Sequence, residues 1–207
     1  MKKEKSSPLL LLISAPSGGG KTTLCRQLLR ARRNMVRAIT CTTRPPRPDE
    51  RDSVDYYFLK PADFLRRVQA GNFLEHASVF GNSYGLLKSE LLGKLRSGKD
   101  VLLNVDVQGA ATLRQAAQAE PELKHALVTV FLTPVSLPEL ERRLKKRGAD
   151  SPEVIRRRLA SAKHEIAQWK NFDYLLMSGT KSEDLRLALA IIEAEKMRIR
   201  RATAPAF

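Results

Sequence analysis

The densest group of chemistry-bearing residues lies in the stretch SAPSGGGKTT, Ser14 to Thr23. Gly20-Lys21-Thr22 supplies the second half of the pattern GxxxxGK[ST], which sets backbone N–H groups around a phosphate at a helix N-terminus, where the helix dipole adds attraction. Ser17, Gly18 and Gly19 supply the flexible turn, and Ala15 stands where the pattern opens on glycine. That first position ends a strand and requires little bulk rather than a positive φ, so alanine is a mild departure. Ala15, Pro16, Ser17, Gly18, Gly19 and Gly20 are therefore read as a phosphate cradle. Lys21 lies along the β- and γ-phosphates, the Thr22 hydroxyl ligates Mg²⁺, and Thr23 is an accessory hydroxyl. Such a cradle identifies a user of nucleoside triphosphates and leaves the reaction open.

Two further basic groups stand apart from the cradle. In TTRPPRP, Arg44 and Arg47 offer planar donor forks suited to a phosphate dianion. Taken alone, the same segment also reads as a solvated, polyproline-like linker. In RRLKKRGADSPEVIRRRL, basic residues cluster around a glycine-containing turn between two helices.

The elements that must position these groups follow from pattern. The chain has 207 residues, 43% hydrophobic, which fits one α/β domain with small inserted lobes. Short apolar runs alternate with longer periodic segments, the signature of a parallel sheet wrapped by helices. The spacing predicts core strands at Leu9–Ser14, Val36–Thr40, Asp100–Val105, Leu127–Leu132 and Asp173–Met177. It predicts helices at Lys21–Arg33, Ser89–Ser97, Ala111–Gln118, Leu137–Lys146, Glu153–Trp169 and Glu183–Arg200. SPEV reads as a helix start, with Ser151 at the N-cap and Pro152 at the first helical position. The segment from about Arg44 to Tyr84 breaks the rhythm and reads as a small β-rich lobe over the site.

The net charge of +15 admits nucleic acid, nucleotides and acidic membrane surfaces as partners. Basic patches interleaved with aromatics are absent, which weighs against a nucleic-acid-binding ATPase. The apolar run after MKKEKSSP is shorter than a secretory core and feeds directly into the glycine-rich loop, so it reads as a buried strand; no run approaches a membrane span. Cys25 and Cys41 form no CxxC and share no metal spacing with His76, His125 or His164, so both read as reduced thiols in a cytoplasmic protein.

SAPSGGGKTTL, TCTTRPPRPDERDSVDYYF, FLEHASVFGNSYG, LLNVDVQG and RRLKKRGADSPEVIRRRL occur in the order and spacing of guanylate kinase, and the chain resembles that family from about Leu9 to Arg200. The resemblance implies a P-loop NTPase three-layer α/β core with a parallel sheet, a small β-rich GMP-binding lobe and an arginine lid. On this division the core is 7–40, 87–142 and 159–201, the lobe 41–86 and the lid 143–158. It implies the reaction ATP + GMP = ADP + GDP, by direct in-line transfer with Mg²⁺, and dGMP as a further acceptor. It assigns the GMP phosphate to Arg44 and Arg47 with Tyr56 and Tyr84. The guanine goes to Glu75 and Asp106 with Thr40, and the transferring group to Lys21, Arg44 and the lid arginines Arg143, Arg147 and Arg158.

These residue types suit those roles. Guanine presents N1–H and an exocyclic amino group, both donors, and carboxylates are their natural acceptors. Adenine would leave those acceptors unpaired. Glu75 alone also reads as an outward-facing strand residue, and Asp106, following VLLNV, also reads as a carboxylate near Mg²⁺. Where the family has Ser or Thr after SYG this chain has Leu86, which predicts weaker guanine binding and a lower KM for GMP in Leu86→Ser. Asn104 stands where an acidic residue is common, and Ser178-Gly179-Thr180 replaces the usual turn beside the adenine. The rival readings are a P-loop kinase acting on a sugar bisphosphate and a non-catalytic guanylate-kinase-like module. Partners are expected to be ATP and GMP or dGMP, with no nucleic acid and no membrane, in a monomer or small homo-oligomer.

Overall fold

The run Leu9–Ile13 sends alternate side chains to opposite faces of a sheet, and both faces are buried. Leu9, Leu11 and Ile13 join one apolar cluster and Leu10 and Leu12 another, which is why every position of the run is aliphatic. The computed structural model describes residues 7–79, 81–147 and 151–202, the side chains of Val79 and Arg147 excepted.

In chain order the elements are β1 (Leu10–Ser14), α1 (Lys21–Ala31), β2 (Met35–Arg37), β3 (Cys41–Thr42), β4 (Tyr57–Phe58), α2 (Pro61–Gln69), β5 (Phe73–Val79), β6 (Asn82–Leu87), α3 (Lys88–Arg96), β7 (Asp100–Asn104), α4 (Val107–Gln118), α5 (Pro121–Ala126), β8 (Leu127–Pro134), α6 (Leu137–Arg147), α7 (Pro152–Ala167), a 3-10 turn (Gln168–Asn171), β9 (Tyr174–Ser178) and α8 (Lys181–Met197). Five strands form a wholly parallel sheet in the order β2-β7-β1-β8-β9. Leu24 and Leu28 of α1 and Ala188 and Ile192 of α8 cover one face. Leu91 and Leu95 of α3 and Ala110 and Leu113 of α4 cover the other, giving three layers. Ile13 of β1 is in register with Asn104 of β7, so the loops after these two strands leave the sheet side by side. In an open parallel sheet this edge of carboxyl ends is where ligands bind.

A second sheet, in the order β4-β3-β6-β5, is built from the intervening segment. Glu90 of α3, nearly buried, fastens it to the core by accepting from Ile39 N at 2.7 Å and Tyr57 Oη at 2.9 Å. This segment also carries α2, which the prolines and charges had hidden. Pro61 opens the helix at its first position, and Phe64 stacks on Phe73 with ring centroids 4.5 Å apart. α6 and α7 pack on each other through Leu140, Leu144, Ile155 and Ala162. Ser151 caps α7 by accepting from Val154 N.

Three of the boundaries that differ from the sequence expectation have a clear local cause. β2 is confined to Met35–Arg37, because the chain then turns toward the second sheet. α4 begins at Val107 rather than 111, because Asp106 is its N-cap and accepts from Gly109 N at 2.8 Å. α8 ends at Met197 rather than 200. The following residues fold back so that the buried Arg201 guanidinium meets Glu195 at 2.7 Å and the carbonyl of His125 at 2.7 Å. Among the described residues no helix is long and apolar enough to cross a membrane.

Candidate active site

The phosphate loop bridges β1 and α1, and its backbone needs glycine at two points, since Gly18 has φ +87° and Gly20, the N-cap of α1, has φ +96°. A side chain on Gly18 would also meet Leu144 Cδ2 of α6 at 2.7 Å, so α6 packs directly on the loop. Ala15 is buried at the strand end, where its methyl group fits without demanding an unusual backbone. The loop, Lys21, Thr22 and Thr23 line a cavity of about 590 Å³ together with Asp106, Arg143 and Glu165.

Lys21 donates to the carbonyl of Val105 at 3.0 Å and to that of Ala15 at 3.4 Å, the positions just beyond β7 and β1. Burial pushes its ammonium pKa down and Asp106 opposes that shift, so a charge here is only partly compensated by protein. An additional anion in the cradle would complete the compensation. Thr22 is exposed to the cavity and Asp106 lines the same space. Hard oxygen donors of this kind fit a Mg²⁺ that brings its other ligands from phosphate. Among the described residues no group of three or more His, Cys, Asp or Glu could hold a metal ion alone.

Two of the three predicted lid arginines reach the loop from different helices. Arg143 of α6 stands near Gly20, where it also donates from Nε to Glu139 at 2.7 Å, from Nη1 to Ser178 Oγ at 2.8 Å and from Nη2 to Ser178 O at 3.2 Å. Hydrogen bonds from Arg142 and Arg143 hold the Glu139 carboxyl down at about 2. Arg158 of α7 donates to Ser17 Oγ at 3.4 Å. Arg147 lies in α6, but its side chain is outside the described residues, as are 148–150 of the lid.

The second sheet brings Arg44, Tyr56 and Tyr84 together. Arg44 lies over the Tyr56 ring at 5.6 Å, and the Tyr56 and Tyr84 centroids are 6.3 Å apart. Arg47 is exposed and engages through its backbone N–H, which donates to Glu50 at 2.8 Å. Thr40 is half-buried, its carbonyl accepting from Tyr57 N at 2.9 Å.

Glu75 crosses from β5 to the first turn of α4. A Cβ built on Gly109 would lie 2.9 Å from Glu75 Oε2 and 3.5 Å from Asp106 Oδ1, which fixes how closely the two carboxylates approach that turn. Burial raises the Glu75 carboxyl pKa and the neighbouring Asp106 raises it further. Paired carboxylates in a partly dry site call for a donor-rich ligand. Asp106 therefore serves three contacts: it caps α4, faces Glu75 and lines the phosphate-loop cavity.

Leu86 differs from expectation. It is fully buried in the cluster with Leu10, Leu12 and Leu91, so in this fold it presents no atom to a ligand, and a serine there would open the core rather than help bind a base. Asn104 is exposed at the end of β7. Ser178, Gly179 and Thr180 face a second cavity of about 360 Å³ that shares Gly18, Gly20 and Arg143 with the first.

The sequence pattern missed three carboxylates. Glu165 accepts from Ser17 N at 3.2 Å, Glu50 accepts from Arg44 Nη2 at 2.8 Å, and Asp184 accepts from Ser178 Oγ at 2.8 Å. Glu165 lies seven positions after Arg158 on α7, two helical turns along the same face, and that spacing was available as a signal.

The chain matches a guanylate kinase family model over residues 7–194. It is 43% identical to guanylate kinase of Novosphingobium aromaticivorans, covering 94% of this chain and 86% of that one. It is also 43% identical to guanylate kinase of Alkalilimnicola ehrlichii, with 93% and 91% covered. Among solved structures, guanylate kinase from Anaplasma phagocytophilum matches with a TM-score of 0.71 at 30% identity, covering 97% of this chain and 93% of that one.

Proposed function

The chain belongs to the guanylate kinase family, a phosphotransferase family that makes GDP from GMP and ATP, and on that premise we propose how its residues divide the work. Residues 15–23 hold ATP, with the β- and γ-phosphates over the loop amides and Lys21. The lobe at 41–86 holds GMP, and the segment 143–158 closes over the transferring group, leaving 7–40, 87–142 and 159–201 as the rigid core.

Asp106 is the observation that carries this reading. One carboxylate faces both Glu75 and the phosphate-loop cavity, so the acceptor base and the donor phosphates have a common wall. Glu75 and Asp106 accept from guanine N1–H and the 2-amino group, with Thr40 beside the base. Arg44, helped by Tyr56, Tyr84 and the nearby Arg47, holds the acceptor phosphate dianion. That phosphate oxygen is already ionised, so it attacks the γ-phosphorus without a general base. As its bond to phosphorus forms, the bond to the β-phosphate bridging oxygen breaks and ADP leaves.

Charge spreading over the γ-phosphoryl oxygens is met by Lys21, Arg44, Arg143, Arg147 and Arg158, in a space that α6 and α7 shield from water. The Thr22 hydroxyl, with Asp106 nearby, would hold the Mg²⁺ that arrives with ATP and neutralises phosphate charge. The same residues argue against a sugar bisphosphate acceptor, because two convergent carboxylates would repel its second phosphate. The buried thiols of Cys25 and Cys41, raised by burial to about 12 and about 11, suit a reducing cytoplasmic setting.

The division is tested by steady-state kinetics on Arg44→Met and Lys21→Met. Arg44→Met should raise the KM for GMP by about tenfold or more while leaving that for ATP within about twofold. Lys21→Met should lower kcat by about a hundredfold or more. A change in ATP affinity alone for Arg44→Met would contradict the assignment.

A further inference from the structure

The third residue of α4 is glycine, and nothing in its backbone requires it. Gly109 is absent from the glycines with positive φ, and it lies in a helix, where glycine costs about 1 kcal/mol relative to alanine. The explanation therefore lies in space. A Cβ at Gly109 would stand 2.9 Å from Glu75 Oε2, 3.2 Å from Val105 Cβ and 3.5 Å from Asp106 Oδ1. The shortest of these contacts is with the far end of a flexible side chain, which can move at little cost to the fold. What moves, however, is the carboxylate that faces Asp106.

We propose that Gly109 is a specificity-determining residue for the acceptor base: its missing side chain is the space that lets the Glu75 carboxylate lie against the first turn of α4 beside Asp106. This rests on the reading that these two carboxylates receive the guanine donors. A methyl group at position 109 displaces one acceptor from the other, and the pair no longer matches the spacing of N1–H and the 2-amino group. The effect falls on the base and spares the triphosphate, because Gly109 is not among the residues lining the phosphate-loop cavity.

The test measures Gly109→Ala, Glu75→Ala and the double variant with ATP, GMP and inosine monophosphate, which keeps N1–H and lacks the 2-amino group. Gly109→Ala should raise the KM for GMP by about tenfold, narrow the preference for GMP over inosine monophosphate, and leave the KM for ATP unchanged, with a melting temperature no lower than that of the wild type. In the Glu75→Ala background it should add nothing, since the group it displaces is gone. An unchanged KM for GMP in Gly109→Ala, with a raised one in Glu75→Ala, overturns the proposal and leaves the reading of Glu75 standing. An unchanged KM in Glu75→Ala overturns that reading itself. An equal rise from Gly109→Ala in both backgrounds, or a Gly109→Ala protein that fails to fold, shows that the added methyl acts on backbone or core rather than on Glu75, and also overturns the proposal.

Discussion

Asp184 holds Arg143 without touching it. Its Oδ2 accepts from Ser178 Oγ at 2.8 Å, its Oδ1 accepts from Gly179 N at 2.9 Å, and the turn so fixed accepts from Arg143 through Ser178 Oγ at 2.8 Å. Asp184 is nearly buried, at 8% exposure, so these bonds are shielded from competing water. Asp184→Ala releases the turn and with it the guanidinium over the phosphate loop. The expected outcome is a fall in kcat of about tenfold with the KM for GMP unchanged, read from initial rates at saturating ATP. A raised KM for GMP with full kcat would show that the turn serves some other part of the site.

Glu75 makes binding and stability respond to pH in opposite senses. Its carboxyl pKa is raised by burial and by Asp106, so between the ordinary carboxylate value and the raised one the folded chain binds more protons than the unfolded chain. The contribution of Glu75 to stability is accordingly lost as pH rises through that window. Glu75→Gln should therefore raise the melting temperature of the free protein at neutral pH and leave it unchanged at pH values below the ordinary carboxylate range. On the proposed reading GMP needs the ionised form, so the wild-type KM for GMP should rise as pH falls through the same window. A melting temperature lowered by Glu75→Gln at neutral pH would contradict the assigned cause of the shift.

Leu86 belongs to the core, and its substitution is a stability experiment. Leu86→Ser removes most of a fully buried side chain and leaves a hydroxyl among leucines, which should cost about 2–5 kcal/mol. Urea denaturation measures that loss. A variant as stable as wild type, with a lowered KM for GMP, would put the side chain at the base after all.

Glu50 positions Arg44 and Arg47, the arginines proposed to hold the acceptor phosphate. It meets Arg44 Nη2 with both carboxylate oxygens, at 2.8 and 2.9 Å, and receives Arg47 N at 2.8 Å, which ties the loop carrying both guanidiniums. The pair is partly exposed, so its worth to stability is modest. Glu50→Gln should raise the KM for GMP by about fivefold and leave kcat intact. A lowered KM would mean that Glu50 instead competes with the incoming phosphate for Arg44.

The parts legible in the sequence were those fixed by local rules. A five-residue apolar run meeting SGGGKTT could only be a strand feeding a helix through a phosphate loop, and the two sides of that strand are buried as the pattern required. Ser151 announced the start of α7 by its type and by Pro152. What stayed hidden depends on distant partners or on residues with two roles. Asp106 was read for its chemistry, so its capping of α4 and the helical place of Gly109 went unseen. Glu165 meets Ser17 across 148 positions, and Leu86 is aliphatic for the sake of β1 and α3 rather than for the base. α2 was masked by a charged, proline-rich surround, although Pro61 and Asp63 are ordinary helix-start residues.

The central claim is that Glu75 and Asp106, the second of which lines the phosphate-loop cavity, choose GMP as acceptor. It is tested most directly by following ADP release from ATP and Mg²⁺ with GMP or AMP as acceptor, in wild type and in Glu75→Gln. The account predicts turnover with GMP, none with AMP above the ATP-only background, and a GMP preference that collapses in Glu75→Gln through KM. Equal selectivity for GMP in both proteins would contradict it.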